Sequence, residues 1–549
     1  MTSTNIKPQE QFNLFERDGQ IVIGINVEAI ISEDAQVRKL SAQLEELEYG
    51  RLYKAYSDKG RKTAVDAKVM FKIMVYAYNQ GIRSTRKIEE ACRNRVDFMW
   101  LLGNEPVPDH STISRFRTGR LEDAIEDLFY QYVNKLEEWG ETDHEVVFID
   151  GTKVESRAGK YMFVWRGTCN KNIEKIQKKV KEKTGIEDLD ELDLYVAELK
   201  AIVGEIPTGK GHRKTEEQRE YCELEQLRQR WHKNLDSLKI MGPDRNSYAK
   251  TDKDATFMHM KEDAMRNGQL KPAYNVQIAV NSEYITGIGA YSNRTDYGTL
   301  EPFLNTIQEK HGRKYTAVTA DSGYESTDNY LYLEENGQIS FIKPQNYEQA
   351  KTKKYRSQIG RAENMEYDSE EDCYICANGK KLTLVSEYPD KYSKRKVMLS
   401  NYKCENCTGC PLREACCKAK DSDKPKVIRI KKDMTRLRAQ SLENISSDTG
   451  ITYRINRSIQ VEGAFGLLKT DFGFRRFLTV GKKNIQIELF FLALGFNTKK
   501  SWMKEQKNRT QTHLIMLNLT RQESRSSAGN CQAEEPTGIT QLRWQLSCR

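Results

Sequence analysis

The sequence contains no run of 18 apolar residues, so nothing in it reads as a membrane-spanning helix. It also lacks the pattern of a secretory leader: residues 1–11 are polar where a basic and then an apolar stretch would be needed. A soluble, cytoplasmic protein with no membrane partner is expected. Charge of one sign is scarce too. The 88 Lys and Arg residues are offset by 79 Asp and Glu, and the net +9 that remains is only a weak pointer to a polyanionic partner. Cysteine is sparse outside one segment. Seven of the 12 lie between Cys373 and Cys417, which excludes a secreted disulfide framework and leaves a local cluster to explain. A chain of 549 residues can bury more than one core, so several domains are expected.

What is present starts with two carboxylates. Residues 146–150 read Val-Val-Phe-Ile-Asp and are followed by Gly151 and Thr152, a buried-strand pattern that delivers Asp150 to a turn. The same pattern over residues 315–323 delivers Asp321, and two strand-end carboxylates suggest a metal site. Between them, residues 274–280 and 284–291 read as a hairpin and residues 299–311 as a helix. A helix over residues 326–335 and a strand over 339–343 follow. Strand, hairpin, helix, strand, helix, strand is the α/β element order of a ribonuclease-H-like mixed sheet. In such a sheet the first and fourth strands end side by side, so Asp150 and Asp321 are expected to meet. Residues 453–469 supply a third acid. Ile455, Ile459, Glu462, Phe465 and Lys469 recur at intervals of three and four, which puts Glu462 and Lys469 on one helical face. A carboxylate among apolar neighbours needs a metal or a base as its partner.

The flanking segments divide by composition. Residues 1–60 read as an arm, with a short apolar run at 21–25, and a helix. Over residues 61–140 a helical DNA-binding domain is expected. It comprises an apolar-striped helix stopped by Gly81, a basic helix begun at Ser84 and carrying Arg86 and Lys87, and a further helix capped at Asp109 that carries Ser111, Thr112, Arg115 and Arg117. Short polar and basic residues at the start of such helices suit docking into a major groove, although a bundle with merely solvated charges has the same pattern. Residues 141–497 are expected to form the mixed-sheet core that carries the three acids, with a Lys/Glu-rich helical insertion at 170–245 that reads as a packing or oligomerising arm. A Cys-rich insertion spans 360–435. Its knuckle-like spacing, Cys373-x2-Cys376 and then Cys404-x2-Cys407-x2-Cys410, resembles a zinc ribbon and nominates Cys376, Cys404, Cys407 and Cys410 as zinc ligands, while Cys373, Cys416 and Cys417 leave the choice of four open; a metal-free insert of reduced thiols is the alternative. Residues 498–549 read as a disordered tail.

Three segments carry a resemblance: Phe-Ile-Asp-Gly-Thr at 148–152, Ala-Asp-Ser-Gly-Tyr at 320–324, and the stretch 457–469 with Glu462 and Lys469. They are similar to those of insertion-sequence DDE transposases, bacterial enzymes with a ribonuclease-H-like core. Residues 81–86 and 108–117 resemble the same family's N-terminal domain, so the likeness covers most of residues 60–497. It implies an acidic triad of Asp150, Asp321 and Glu462 that binds Mg²⁺ or Mn²⁺, with Lys469 and Arg457 holding DNA phosphates. It further implies a homodimeric, nucleoid-associated enzyme that binds terminal inverted repeats in double-stranded DNA, cuts there and joins the ends to target DNA. Many relatives space Tyr, Arg, Glu and Lys with two, three and six intervening residues. Here Lys469 fits, but Arg457 precedes Glu462 by five positions instead of four, and Tyr453 precedes it by nine. A ribonuclease-H-like endonuclease without strand transfer and a DNA-binding protein with a silenced core are the other readings.

Overall fold

The computed structural model describes residues 27–56, 63–204, 214–260, 268–417 and 424–515. The arm at 21–25 and the tail beyond 515 lie outside them. The fold is mixed α/β, and at its centre is a mixed sheet built from β1 (Val146–Glu155), β2 (Leu270–Asn281), β3 (Tyr284–Tyr291), β4 (Ala317–Ala320) and β5 (Ile339–Ile342). Their spatial order is β3-β2-β1-β4-β5, and a short strand, Thr256–His259, extends the free end of β2. β1 is antiparallel to β2 and parallel to β4, and β4 is parallel to β5. The expected hairpin, crossover helices and final strand are all present. One expectation needs correcting: β1 does not end at Asp150. Residues 148–155 continue to pair with residues 273–280 of β2, so Asp150 sits inside a strand where β4 has already finished.

The hairpin between β2 and β3 turns through Ser282 and Glu283, at φ 54° and φ 70°. Two successive left-handed residues match the twist of the flanking strands, but they are unfavourable without glycine. Tertiary contacts hold them. The Glu283 N–H donates to Gln460 Oε1 at 2.8 Å, and the Glu283 carboxylate is paired with Lys500 at 3.2 Å and with Arg509.

Apolar alternation along β1 divides its side chains between two layers. Val147 and Ile149 join Val318, Phe303, Ile307 and Leu333 beneath helices Leu300–His311 and Thr327–Glu335. On the other face Phe148 meets Tyr453, which also packs edge-on against Phe341, with ring centroids 6.3 and 5.1 Å apart. Tyr453 thereby docks helix Asp448–Arg457 on the sheet.

Helix Lys482–Gln506 is apolar nearly all round from Ile485 to Phe496, the signature of a buried helix. It packs on helix Ala67–Asn79, with Phe491 against Phe71 and Tyr78, and Gly495 allows the backbones to close: a Cβ there would lie 2.7 Å from the Asn79 nitrogen. The helix also runs past residue 498, where a tail was expected, and Thr498, Ser501 and Lys504 are buried. Asp66 and Asp109 cap helices Ala67–Asn79 and His110–Gly119, the latter at the expected start. A buried ion pair, Arg83 to Glu488 at 2.7 Å, ties these N-terminal helices to the C-terminal one. No described helix is long and apolar enough to cross a membrane.

Both insertions have cores of their own. Helices Arg166–Thr184, Leu189–Val203 and Glu216–Met241 bury Val180, Leu192, Leu224 and Trp231 among themselves. The Cys-rich segment is a five-stranded antiparallel sheet over Tyr374, Leu382 and Tyr402.

Candidate active site

The parallel register sets Val146 beside Ala317 and Phe148 beside Thr319. Carried two residues further, it puts Asp150 level with Asp321, as the element order predicts. Asp150 accepts from the Gly151 N–H at 2.8 Å, and Asp321 from the Gly323 N–H at 2.8 Å, so each carboxylate is fixed by the turn or strand that carries it. Glu462 arrives from beyond the Tyr453 helix. There the chain makes a π-helical turn over Ser458–Glu462 before resuming as helix Gly463–Thr470.

That turn accounts for the unusual spacing. In a regular helix, residues five apart point about 140° away from one another. The wider turn adds one residue without adding a turn. Arg457 therefore stands between two of the acids, its Nη1 3.4 Å from Asp150 Oδ2 and its Nη2 3.9 Å from Glu462 Oε1. Nη1 is buried and makes no hydrogen bond. Glu462 itself is 64% exposed and accepts from Ser458 Oγ at 3.2 Å. Lys469 is half-buried one helical segment further on.

A fourth carboxylate, absent from the sequence reading, is Asp296 in the loop between β3 and helix Leu300–His311. Its Oδ1 receives Asn275 Nδ2 at 2.6 Å and Gln277 Nε2 at 3.1 Å, and Gln277 in turn accepts from the Tyr324 hydroxyl. Burial pushes the Tyr324 hydroxyl well above the usual range, and the charges of Asp296, Asp150 and Asp321 push the same way. A signal existed in the sequence. Asn275 and Gln277 interrupt an apolar strand, and both are buried, which obliges them to find polar partners.

Two glycines keep this space open. A Cβ on Gly151 would lie 2.8 Å from Asp296 Oδ1; one on Gly323 would lie 3.0 Å from Asp321 Oδ1 and 3.4 Å from Asp296 Oδ2. Oxygen donors of this kind suit a hard divalent cation. The carboxylates are not drawn to ligand spacing. Among the described residues, the groups of three donors within 4.8 Å of one another are Glu137, His144 and His311, where Arg313 already neutralises Glu137, and Asp368, Glu371 and Cys373.

The nominated DNA-contact residues divide. Arg86, Lys87, Ser111 and Arg115 are exposed and Thr112 is half-buried. Arg117 departs from expectation: it is 8% exposed, because it shares the inner face of its helix with Ile113 and Phe116 and turns in beside Tyr78. A buried guanidinium cannot reach a phosphate. The four nominated thiols, Cys376, Cys404, Cys407 and Cys410, line one cavity of about 20 Å³ together with Cys416 and Cys417. Cys373 is on a strand outside it. The Lys426 N–H points at Cys407 Sγ, 3.3 Å away.

Residues 375–502 match a family described as Transposase DDE domain, and residues 25–119 match one described as Transposase domain (DUF772). The two matches indicate an insertion-sequence DDE transposase family. A DDE domain implies a ribonuclease-H-like fold and in general the use of a divalent metal, and the family acts on DNA. No curated protein and no solved structure matches the chain.

Proposed function

We propose that the protein is a DNA transposase that binds the terminal inverted repeats of an insertion sequence, cuts there and transfers the strand to target DNA. The observation that carries this reading is that Asp150 stands level with Asp321 on neighbouring strands while Arg457 links Asp150 to Glu462. Asp150, Asp321 and Glu462 are the residues to hold Mg²⁺ or Mn²⁺. Paired divalent ions, when bound, activate a water or 3′-hydroxyl and stabilise the leaving oxygen of a phosphodiester. The chain's own groups do the rest. Arg457 offsets negative charge between two acids, and Lys469 on the next helical segment holds a DNA phosphate. Arg86, Lys87, Ser111, Thr112 and Arg115 provide the N-terminal duplex contacts, and the ends are paired by two copies of the chain.

The test is cleavage of labelled DNA carrying the element's ends, with Mg²⁺. Wild type should nick at the ends. Glu462→Gln, which keeps the shape and removes the charge, should lower the rate by about a hundredfold or more. Wild-type cleavage by this variant would sink the triad, and cleavage without end joining would favour a plain endonuclease.

A structural zinc ion in the Cys-rich sheet is a second element of the proposal. It is supported by six thiols around one small cavity and by an N–H aimed at sulfur, the usual support of a metal thiolate. Purified protein is expected to carry about one zinc per chain, and Cys407→Ser to lose it with a drop in melting temperature. A zinc-free wild type with an unchanged melting temperature in chelator excludes the site.

A further inference from the structure

We propose that Asp296 is a fourth carboxylate of the metal-binding site, contributing its Oδ2 on the side of Asp321. The inference rests on the transposase reading but goes beyond the triad. Its basis is the way the loop is built. Backbone and side chain both fix Asp296: Thr299 donates to its carbonyl through N–H at 3.0 Å and through Oγ1 at 2.7 Å, where helix Leu300–His311 begins. Asn275 and Gln277, 1% and 0% exposed, both spend an amide N–H on Oδ1. Two fully buried amides on one oxygen orient the carboxylate so that the second oxygen is turned to the open side. That oxygen and Asp321 Oδ1 converge on the space above Gly323, at 3.4 and 3.0 Å from a single point that a side chain would fill.

On the Asp150 side the neighbouring group is a cation and not a further ligand. Arg457 Nη1 is buried, makes no hydrogen bond and faces Asp150. Gly151, opposite Gln277 in the sheet, leaves room on the face of β1 that Asp296 covers: a Cβ there would lie 2.3 Å from Gln277 Nε2 and 2.8 Å from Asp296 Oδ1. Asp296 and Asp321, from separate segments of chain, therefore face one space that Gly323 leaves open, and Asp150 stands level with Asp321 on the next strand. A purely structural Asp296 would not need the oriented second oxygen.

The test is Mn²⁺ binding to the full chain without DNA, measured by calorimetry, alongside thermal melting and end cleavage. Asp296→Asn should weaken Mn²⁺ binding by roughly tenfold or more while melting stays close to wild type. Gly323→Ala, whose Cβ would crowd Asp321 Oδ1 at 3.0 Å and fill the space facing Asp296 Oδ2 at 3.4 Å, should weaken it in the same direction; Gly323 has no left-handed backbone to strain. Wild-type Mn²⁺ affinity in Asp296→Asn overturns the proposal. Should that variant unfold, Asp296→Ser decides: weaker Mn²⁺ binding supports the proposal and wild-type binding overturns it. Asp150→Asn separates this from the parent reading. If Asp150→Asn loses Mn²⁺ and cleavage while Asp296→Asn keeps both, only the fourth carboxylate is wrong; if neither variant changes Mn²⁺ binding or cleavage, the transposase site itself is wrong.

Discussion

Asp150→Asn is expected to lower the rate of end cleavage by about a thousandfold or more while leaving the metal-free protein at least as stable as wild type. The two outcomes share one cause. Asp150 is 15% exposed and stands level with Asp321, so the folded chain holds like charges close together, with Arg457 as the nearby cation. Crowded carboxylates destabilise a metal-free protein and bind a cation strongly. Asparagine keeps an oxygen for the Gly151 N–H, so the strand has no reason to move. What is lost is a charge in the middle of the site, where Glu462, at 64% exposure, contributes less. Single-turnover cleavage and a thermal melt in chelator measure the two halves. Cleavage within tenfold of wild type would show that Asp150 is not the central acid.

Arg83→Ala is expected to cost about 3–5 kcal/mol of unfolding free energy, because it leaves Glu488 charged and enclosed. Both partners are buried, at 7% and 0% exposure. The pair is also a junction. Arg83 donates to the Gly473 and Arg476 carbonyls at 2.9 and 2.6 Å, and Glu488 accepts from the Leu478 N–H at 3.2 Å and from Thr479 Oγ1 at 3.1 Å. Replacing both by Met and Leu should recover part of the loss, since no isolated charge remains, but not all of it, since those backbone groups lose their partners. Urea unfolding of the two variants separates these terms. A cost below about 1 kcal/mol for Arg83→Ala would mean that water reaches Glu488.

The elements that were legible from sequence are those in which local chemistry and tertiary demand agree. The apolar runs of β1, β4 and β5, the cap at Asp109 and the stripes of the helical insertion all follow from local side-chain chemistry and periodicity. The misreadings arise where packing overrides a local signal. Asp-Gly-Thr after an apolar run is turn chemistry, yet β1 continues because β2 offers five further partners and Gly151 must pass close to Gln277. Arg117 looks like a surface cation in composition, but the helix phase that buries Ile113 and Phe116 carries it inward. Asp296 was invisible because nothing in its own segment is unusual. Its importance is written on another strand, in the two amides that have nowhere else to bond.

The π-turn at Ser458–Glu462 has one more consequence. It makes the late helix two regular helices joined out of phase, so that each half is set by a different contact surface. The upstream half takes its rotation from Tyr453 against the sheet, and the junction is clamped by Gln460, whose amide reaches the Glu283 turn on one side and the His513 carbonyl on the other. The junction's last residue, Glu462, and Lys469 in the downstream half are then aimed independently of how Tyr453 is seated. A chain built this way can absorb a gained or lost residue without redirecting its acids, and a search that counts fixed gaps along the sequence will pass over it.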